Sequence, residues 1–288
     1  MLKKTLSGVL AVAIGAAFLW VDLKEVFVIG VAIVSAMAVY EILVATKYIS
    51  NTPSAIICIA FAAAVPFVLS YDFRHTPYFV FTLIIGLFLV MILSHRKVKF
   101  SQLSLITFVS LCIPFALTSI VLIYDSVPAP HRTFLVLYTC VVTWVSDSGA
   151  YFAGTLFGKH KMAPGISPKK TWEGFAGGLL ISSAFGAGLS FGYQWLFNSF
   201  LIADGGSTIS VNVLALALLA LPCAMLGVVG DLSASVLKRE CSVKDFGNVL
   251  PAHGGFVDRF DSVLFAAPFA YLVFSEYVPI SSVAGGQL

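Results

Sequence analysis

The sequence predicts an all-α polytopic integral membrane protein of about nine transmembrane helices, with the N-terminus cytoplasmic and the C-terminus on the opposite side. Three observations predict it. Hydrophobic residues make up 59% of the 288 and charged residues only 11%, against roughly 25% charged in a soluble globular domain, and mean hydropathy is +0.97. The apolar residues fall into nine runs, approximately 6–21, 26–46, 54–70, 77–94, 102–124, 134–157, 174–197, 211–230 and 262–279. Most of these reach the roughly 17–25 residues that a helix needs to cross the hydrocarbon core. Lys and Arg concentrate in alternate loops: with the N-terminus inside, 14 fall on the cytoplasmic side and 3 (Lys24, Arg74 and Arg132) on the other.

The first run, within LKKTLSGVLAVAIGAAFLW, has the basic start and apolar stretch of a signal peptide. Bulky Phe18, Leu19 and Trp20 follow Ala16 and Ala17, however, and a second run comes at once, so it reads as a retained helix. The second run carries Glu41 near its cytoplasmic end. An intramembrane carboxylate is a functional candidate, and at that depth it can also snorkel to water. Runs three to five offer spans and short loops only. The sixth contains Asp147, the eighth is terminated by Asp231, and SFLIADGGSTIS between the seventh and eighth reads as an ordinary external turn.

No tandem repeat or low-complexity tract divides the chain, so 1–288 is read as one membrane domain. Residues 1–130 form its N-terminal transmembrane helices and 131–288 its chemistry-bearing half. In that second half, polar groups cluster in two cytoplasmic segments, 143–178 and 230–261. Cys58, Cys112, Cys140, Cys223 and Cys241 show no CxxC pairing, and four of them lie in apolar runs, which suits small core hydrophobes rather than disulfides or metal ligands. The net charge of +3 is carried on one face, where it can meet anionic headgroups or nucleotides. A nucleic-acid partner is not expected. The small-residue stretches GAAFL and AGGLL permit close helix contact, either within the chain or in a homodimer.

Carboxylates inside or at the end of apolar runs need a cation, a donor or water. Asp147 can pair with a nearby Lys, and Asp231 can cap a helix continuing as LSASVLKRE. If 231–239 is helical, Asp231, Ser235 and Lys238 share one face; Asp258 and Asp261 stand at i and i+3 if the ninth helix begins near Val257. Such converging carboxylates suit Mg²⁺, which takes one or two of them with waters and substrate phosphates. Gly254 and Gly255 suit close approach of backbone N–H groups to a phosphate, or a plain turn. SPKKTWEG, at 167–174, adds the ammonium groups of Lys169 and Lys170 and a hydroxyl, or simply a positive-inside anchor. His253 is open to a general-base role or to ordinary hydrogen bonding. Cations beside metal-ready carboxylates are what phosphoryl or nucleotidyl transfer between two anions requires, and the bilayer makes a lipid one reactant. Neither GxxxxGK[ST] nor a strand–helix GxGxxG is present, so a nucleotide has to be held by loops at helix ends.

The segment SVLKRECSVKDFGNVLPAHGGFVDRFD, Ser235 to Asp261, resembles the signature of the phosphatidate cytidylyltransferase family, also called CDP-diacylglycerol synthase. The pattern is met by Ser235, Leu237, Lys238, Arg239, Lys244, Asp245, Gly247, Pro251, His253, Gly254, Gly255, Asp258, Arg259 and Asp261; DSGAY at 147–151 and SPKKTWEG are similar to the family's other polar motifs. The resemblance implies an enzyme of phospholipid biosynthesis in the cytoplasmic (inner) membrane, facing the cytoplasm. It would condense CTP with phosphatidate to CDP-diacylglycerol and pyrophosphate, with Mg²⁺. On that reading Asp231 and Asp258 are expected as metal carboxylates, with Asp261 and Ser235 completing the shell. Lys169, Lys170, Lys238, Arg239 and Arg259 would neutralise phosphates, and Ser167, Thr171, Lys244, Gly254 and Gly255 would also contact substrate. Asp147 would orient a basic residue or a second cation, and His253 would position rather than abstract a proton. The competing readings are a CTP-dependent lipid kinase and, from another class, an ion-coupled transporter lined by Glu41, Asp147 and Asp231.

Overall fold

The computed structural model describes residues 23–48, 52–95, 99–203, 208–247 and 255–283. The first apolar run, and with it the retained N-terminal helix, lies outside the described residues. The other eight runs are helical: α1 (Lys24–Ala45), α2 (Thr52–Tyr71), α3 (Thr76–Leu93), α4 (Phe100–Ser126), α5 (Arg132–Phe157), α6 (Trp172–Ala203), α7 (Val213–Glu240) and α9 (Val263–Glu276), with the one-turn α8 (Val257–Phe260) before the last. Seven of them are long and apolar enough to cross a bilayer, which makes this a multi-pass membrane protein. These helices are apolar all round, as lipid-facing helices are, with side chains such as Tyr78, Leu93, Phe108 and Leu180 directed outward. Their hydroxyls are satisfied locally: Thr118 donates to Pro114 O at 2.6 Å and Ser190 to Gly186 O at 2.7 Å.

Two expectations are corrected. The ninth run is no full span, because α9 has only 14 residues. The backbone turns extended at Tyr277 and enters β4 (Ile280–Val283). The presumed external turn after the seventh run contains β3 (Thr208–Val211), which pairs antiparallel with β4, Thr208 opposite Val283 and Val211 opposite Ile280. Asn198 of α6 secures β3 by accepting the Ile209 N–H at 2.8 Å and donating to Ile209 O at 3.0 Å. A residue-by-residue apolar count does not see this sheet, since four-residue strands are shorter than any hydropathy window.

The chain divides into two compact units, 1–125 with 234–261, and 126–233 with 262–288. In the first, α1 packs along α2 and α2 against α3. Its core includes Val28, Val39, Leu43, Cys58, Ala62, Val121 and Tyr124, with Phe27 stacked on Tyr124 at 4.8 Å. Lys24 at the start of α1 pairs with Asp125 at 2.8 Å, donates to Ser70 O at 2.9 Å and lies over the Tyr71 ring. The ammonium is thereby matched at a helix end, where an unpaired charge beside lipid is costly.

In the second unit α5 and α6 lie in close contact, separated by a hairpin of β1 (Lys161–Ala163) and β2 (Ser167–Thr171). Small residues permit the approach: a Cβ on Gly178 would stand 2.8 Å from Ser146 O and 3.0 Å from Ala150 Cβ, and one on Gly177 would overlap Ala153 Cβ. The AGGLL stretch is therefore used inside the chain. Cross-helix hydroxyls add specificity, Ser182 to Val142 O at 2.7 Å, Ser183 to Ala217 O at 2.8 Å and Tyr138 to Leu216 O at 2.5 Å.

This packing makes opposite predictions for two glycines of one helix. Gly177→Ala is expected to destabilise the protein by about 1–3 kcal/mol through overpacking. Gly192→Ala, whose Cβ meets nothing within 4 Å, is expected to be neutral or to stabilise by up to ~1 kcal/mol through helix propensity. Thermal unfolding in detergent checks both; equal shifts would contradict the α5–α6 contact.

Candidate functional site

The predicted site residues fall into two clusters, one in each unit. In the second unit, the short hairpin delivers SPKKT against the start of α6. Thr171 is buried and its Oγ accepts the Gly174 N–H at 3.1 Å, so it caps α6 rather than offering its hydroxyl to a ligand. Glu173 closes the hairpin from the other side, accepting the Lys159 N–H at 3.1 Å and lying 2.5 Å from His160 Nδ1.

Because successive strand residues point to opposite faces, Lys169 is exposed while Lys170 turns inward. Lys170 Nζ lies 2.6 Å from Asp231 Oδ2, with both side chains largely buried at 22% and 29% exposed. Asp231 is not a helix cap: α7 runs unbroken through it to Glu240, so the carboxylate projects from the middle of a turn. Asp147 of α5 accepts a hydrogen bond from Ser262 Oγ at 2.5 Å, and it lies within electrostatic reach of both Asp231 and Lys170. Ser262 escaped the sequence reading because a serine opening an apolar run carries no signal of its own.

With both carboxylates ionised, a single ammonium within electrostatic reach leaves one negative charge for a further cation to match. Mg²⁺ uses one or two carboxylates with waters and substrate phosphates, so Asp147 and Asp231 fit it as a donor set. Among the described residues no group of three or more His, Cys, Asp and Glu side chains gathers as a metal cage.

In the first unit the cluster begins where α7 ends. Val243 N–H bonds to Lys238 O at 3.0 Å and Ser242 N–H to Arg239 O at 3.1 Å, with Ser242 at φ 57°. This is a Schellman ending with serine in the left-handed position that glycine usually takes. It reverses the chain so that buried Phe246 comes back beside Lys238, whose Nζ lies 5.5 Å from the ring centroid.

Asp258, in α8, then receives three donors: Lys238 Nζ at 2.9 Å on Oδ1, and on Oδ2 the N–H groups of Phe246 at 3.0 Å and Gly255 at 3.2 Å. The Lys238–Asp258 pair is nearly closed to solvent, 13% and 8% exposed. The expected metal carboxylate is thus engaged by the protein itself. Gly255 is buried with its N–H turned to Asp258, and this departs from the expected phosphate-facing turn.

Asp261 is buried at the end of α8, still in helical conformation. Ser235 and Ser167 are half-buried, whereas Arg239, Lys244 and Arg259 are exposed. His253 and Gly254 lie outside the described residues. Glu41 of α1 also belongs to this cluster: it is buried, and its Oε2 accepts the Val257 N–H at 3.1 Å.

With this geometry in view, the chain matches a family model described as the cytidylyltransferase family over residues 2–277. It is 41% identical over 139 residues to a phosphatidate cytidylyltransferase of Haemophilus influenzae, covering 48% of this chain and 45% of that protein. Proteins of the same name match from Bacillus subtilis (44% over 142 residues, 49% and 48%) and Aquifex aeolicus (41% over 141 residues, 49% and 47%). The chain thus spans about half the length of the curated relatives it matches. A family model covering nearly all of the sequence, on a scaffold whose polar side chains gather around these motifs, leads to one conclusion: the chain belongs to the cytidylyltransferase family.

Proposed function

We propose that this protein is a phosphatidate cytidylyltransferase, forming CDP-diacylglycerol and pyrophosphate from CTP and phosphatidate in phospholipid biosynthesis. The observation that carries the proposal is the polar set of the second unit, Asp147 and Asp231 on membrane-spanning helices with Lys170 of strand β2, in a chain similar to proteins of that name. A phosphatidate phosphate oxygen attacks the α-phosphorus of CTP in line, and the bond to the β-phosphate bridging oxygen breaks. The nucleophile is already an anion near neutral pH, so no general base is needed.

Asp231 and Asp147 would hold Mg²⁺, which, when bound, supplies charge neutralisation at the transferred phosphate. Lys170 keeps Asp231 oriented, and Ser262 fixes the rotamer of Asp147. Exposed Lys169, in the same unit as that polar set, is available to a substrate phosphate, and the first unit carries the exposed cations Arg239, Lys244 and Arg259. Their segments carry most of the basic residues assigned to the inner side, so the active site faces the cytoplasm from the inner membrane.

Labelled CTP tests the reaction. With phosphatidate and the purified protein in detergent, label in the cytosine is expected to enter the lipid and γ-phosphate label to leave as pyrophosphate. Transfer of the γ-label to lipid would instead identify a kinase. Asp231→Asn is expected to lower kcat/KM by roughly 100- to 1000-fold, the scale of losing a charge-stabilising group, with a smaller loss of Tm than Asp258→Asn because the Lys170–Asp231 pair is the more exposed of the two. Asp258→Asn is expected to lose activity and also about 3 kcal/mol of stability, because it leaves the buried Lys238 ammonium without its counter-ion. An unchanged Tm in Asp258→Asn, with activity lost, would argue for a direct metal role instead.

A further inference from the structure

We infer that Glu41, which lies outside every recognised motif, is a positioning residue: a carboxylate supplied by α1 that caps α8 from outside its own segment and so fixes Asp258 and Arg259. Three observations within the first unit carry the inference. Glu41 is 1% exposed, a degree of burial that an ionisable side chain does not adopt without a task or a partner. Its Oε2 accepts the Val257 N–H, the first of α8, across 216 residues of sequence, and the Phe256 backbone adds a favourable interaction with the carboxylate. The free N–H groups at a helix start are the donors that a capping acceptor satisfies. The residue at the N-cap of α8, Phe256, makes no side-chain cap of its own.

The glycines give the third observation. A Cβ on Gly255 would stand 2.6 Å from Glu41 Oε2, and one on Gly247 2.7 Å from Glu41 Oε1. Any side chain at either position would collide with the carboxylate. At Gly247 all three close neighbours belong to Glu41, whereas a Cβ on Gly255 would also stand 2.9 Å from Gly247 N and 3.0 Å from Asp258 Oδ2, so the polar segment is packed on a residue from the N-terminal half together with its own backbone. Oε1 has no hydrogen-bond partner among the described residues and is backed against Gly247, so the carboxylate is held by packing on one side and by the Val257 N–H on the other. Snorkelling, one of the two sequence expectations for Glu41, does not occur.

The inference rests on the proposed cytidylyl transfer for its kinetic consequence, and on geometry alone for the clamp. The test compares Glu41→Ala, Glu41→Gln and, as a control for stability, Leu87→Ala, which removes a buried side chain of α3 away from the polar segments. Loss of the cap is expected to lower kcat for cytidylyl transfer by roughly 100-fold, the scale of displacing reacting groups by about 1 Å, with the KM for CTP changed much less. Glu41→Gln keeps an oxygen for the Val257 N–H and is expected to regain about 10-fold of that loss. Leu87→Ala, assayed below its own melting temperature, is expected to keep its kcat. Hydrogen exchange of the whole protein adds a readout independent of activity: amides of 256–260 are expected to exchange faster in Glu41→Ala alone.

If Glu41→Ala retains its kcat, or if Leu87→Ala loses as much at an equal drop in Tm, Glu41 is only a packing residue and the inference falls. If the wild-type protein transfers no cytidylyl group while exchange at 256–260 still rises in Glu41→Ala, the reading of function fails and the clamp stands. Unchanged exchange in Glu41→Ala sinks the clamp whatever the activity.

Discussion

The polar segment after α7 depends on one constraint: the Asp258 carboxylate is nearly closed to solvent and has to be matched by donors. In a chain with so few charges, a buried anion dictates its surroundings, since leaving it unmatched costs several kcal/mol. The match takes three donors from three stretches of chain, the Lys238 ammonium and the N–H groups of Phe246 and Gly255. Each donor sets a condition on the fold. Lys238 has to lie in the last turn of α7, which requires the helix to run unbroken past Asp231; Phe246 has to return to it, which requires the tight reversal at Ser242. The left-handed Ser242, mildly unfavourable for a residue with a Cβ, persists because the bonds on either side of it determine the turn.

The second unit meets a different constraint by a different means. Its helices have little hydrophobic incentive to associate in lipid, so contact depends on shape and on hydroxyl-to-carbonyl bonds. Gly177 and Gly178 bring α6 onto α5, and Tyr138, Ser182 and Ser183 tie both to their neighbours. A rigid α5–α6 pair is what gives Asp147 and the hairpin lysines a defined setting. The chemistry of this unit is thus held on regular elements.

Much of this was legible in the sequence. Seven long apolar helices follow from apolar runs of sufficient length, because a bilayer imposes a length that composition alone reveals. The roles of Asp147 and Lys170 were half legible, since a buried carboxylate demands a partner but does not name it. What could not be read were relations set by backbone direction. Asp231 looked like a helix cap because apolarity stops there, yet helix propensity carries LSASVLKRE onward and α7 continues. The β3–β4 pairing joins residues about seventy apart through strands too short for any periodicity to register. Gly255 invited a phosphate because glycine permits close approach, and the group that actually approaches is a carboxylate from α1.

The same geometry assigns the basic residues. Two dipeptides, Lys169-Lys170 and Lys238-Arg239, look redundant as strings of positive charge. In a strand, neighbours face opposite ways, and in a helix they diverge by about 100°. One member of each pair can therefore turn inward while the other remains in solvent. Lys170 and Lys238 are the inward members, each fixed on an aspartate, and Lys169 and Arg239 are the exposed ones. The inward lysines cancel charge that burial would otherwise penalise and so cannot also neutralise a substrate without releasing their partners. The exposed cations have no such obligation, and adjacency in sequence thus becomes a division of labour between holding the site together and meeting an anion.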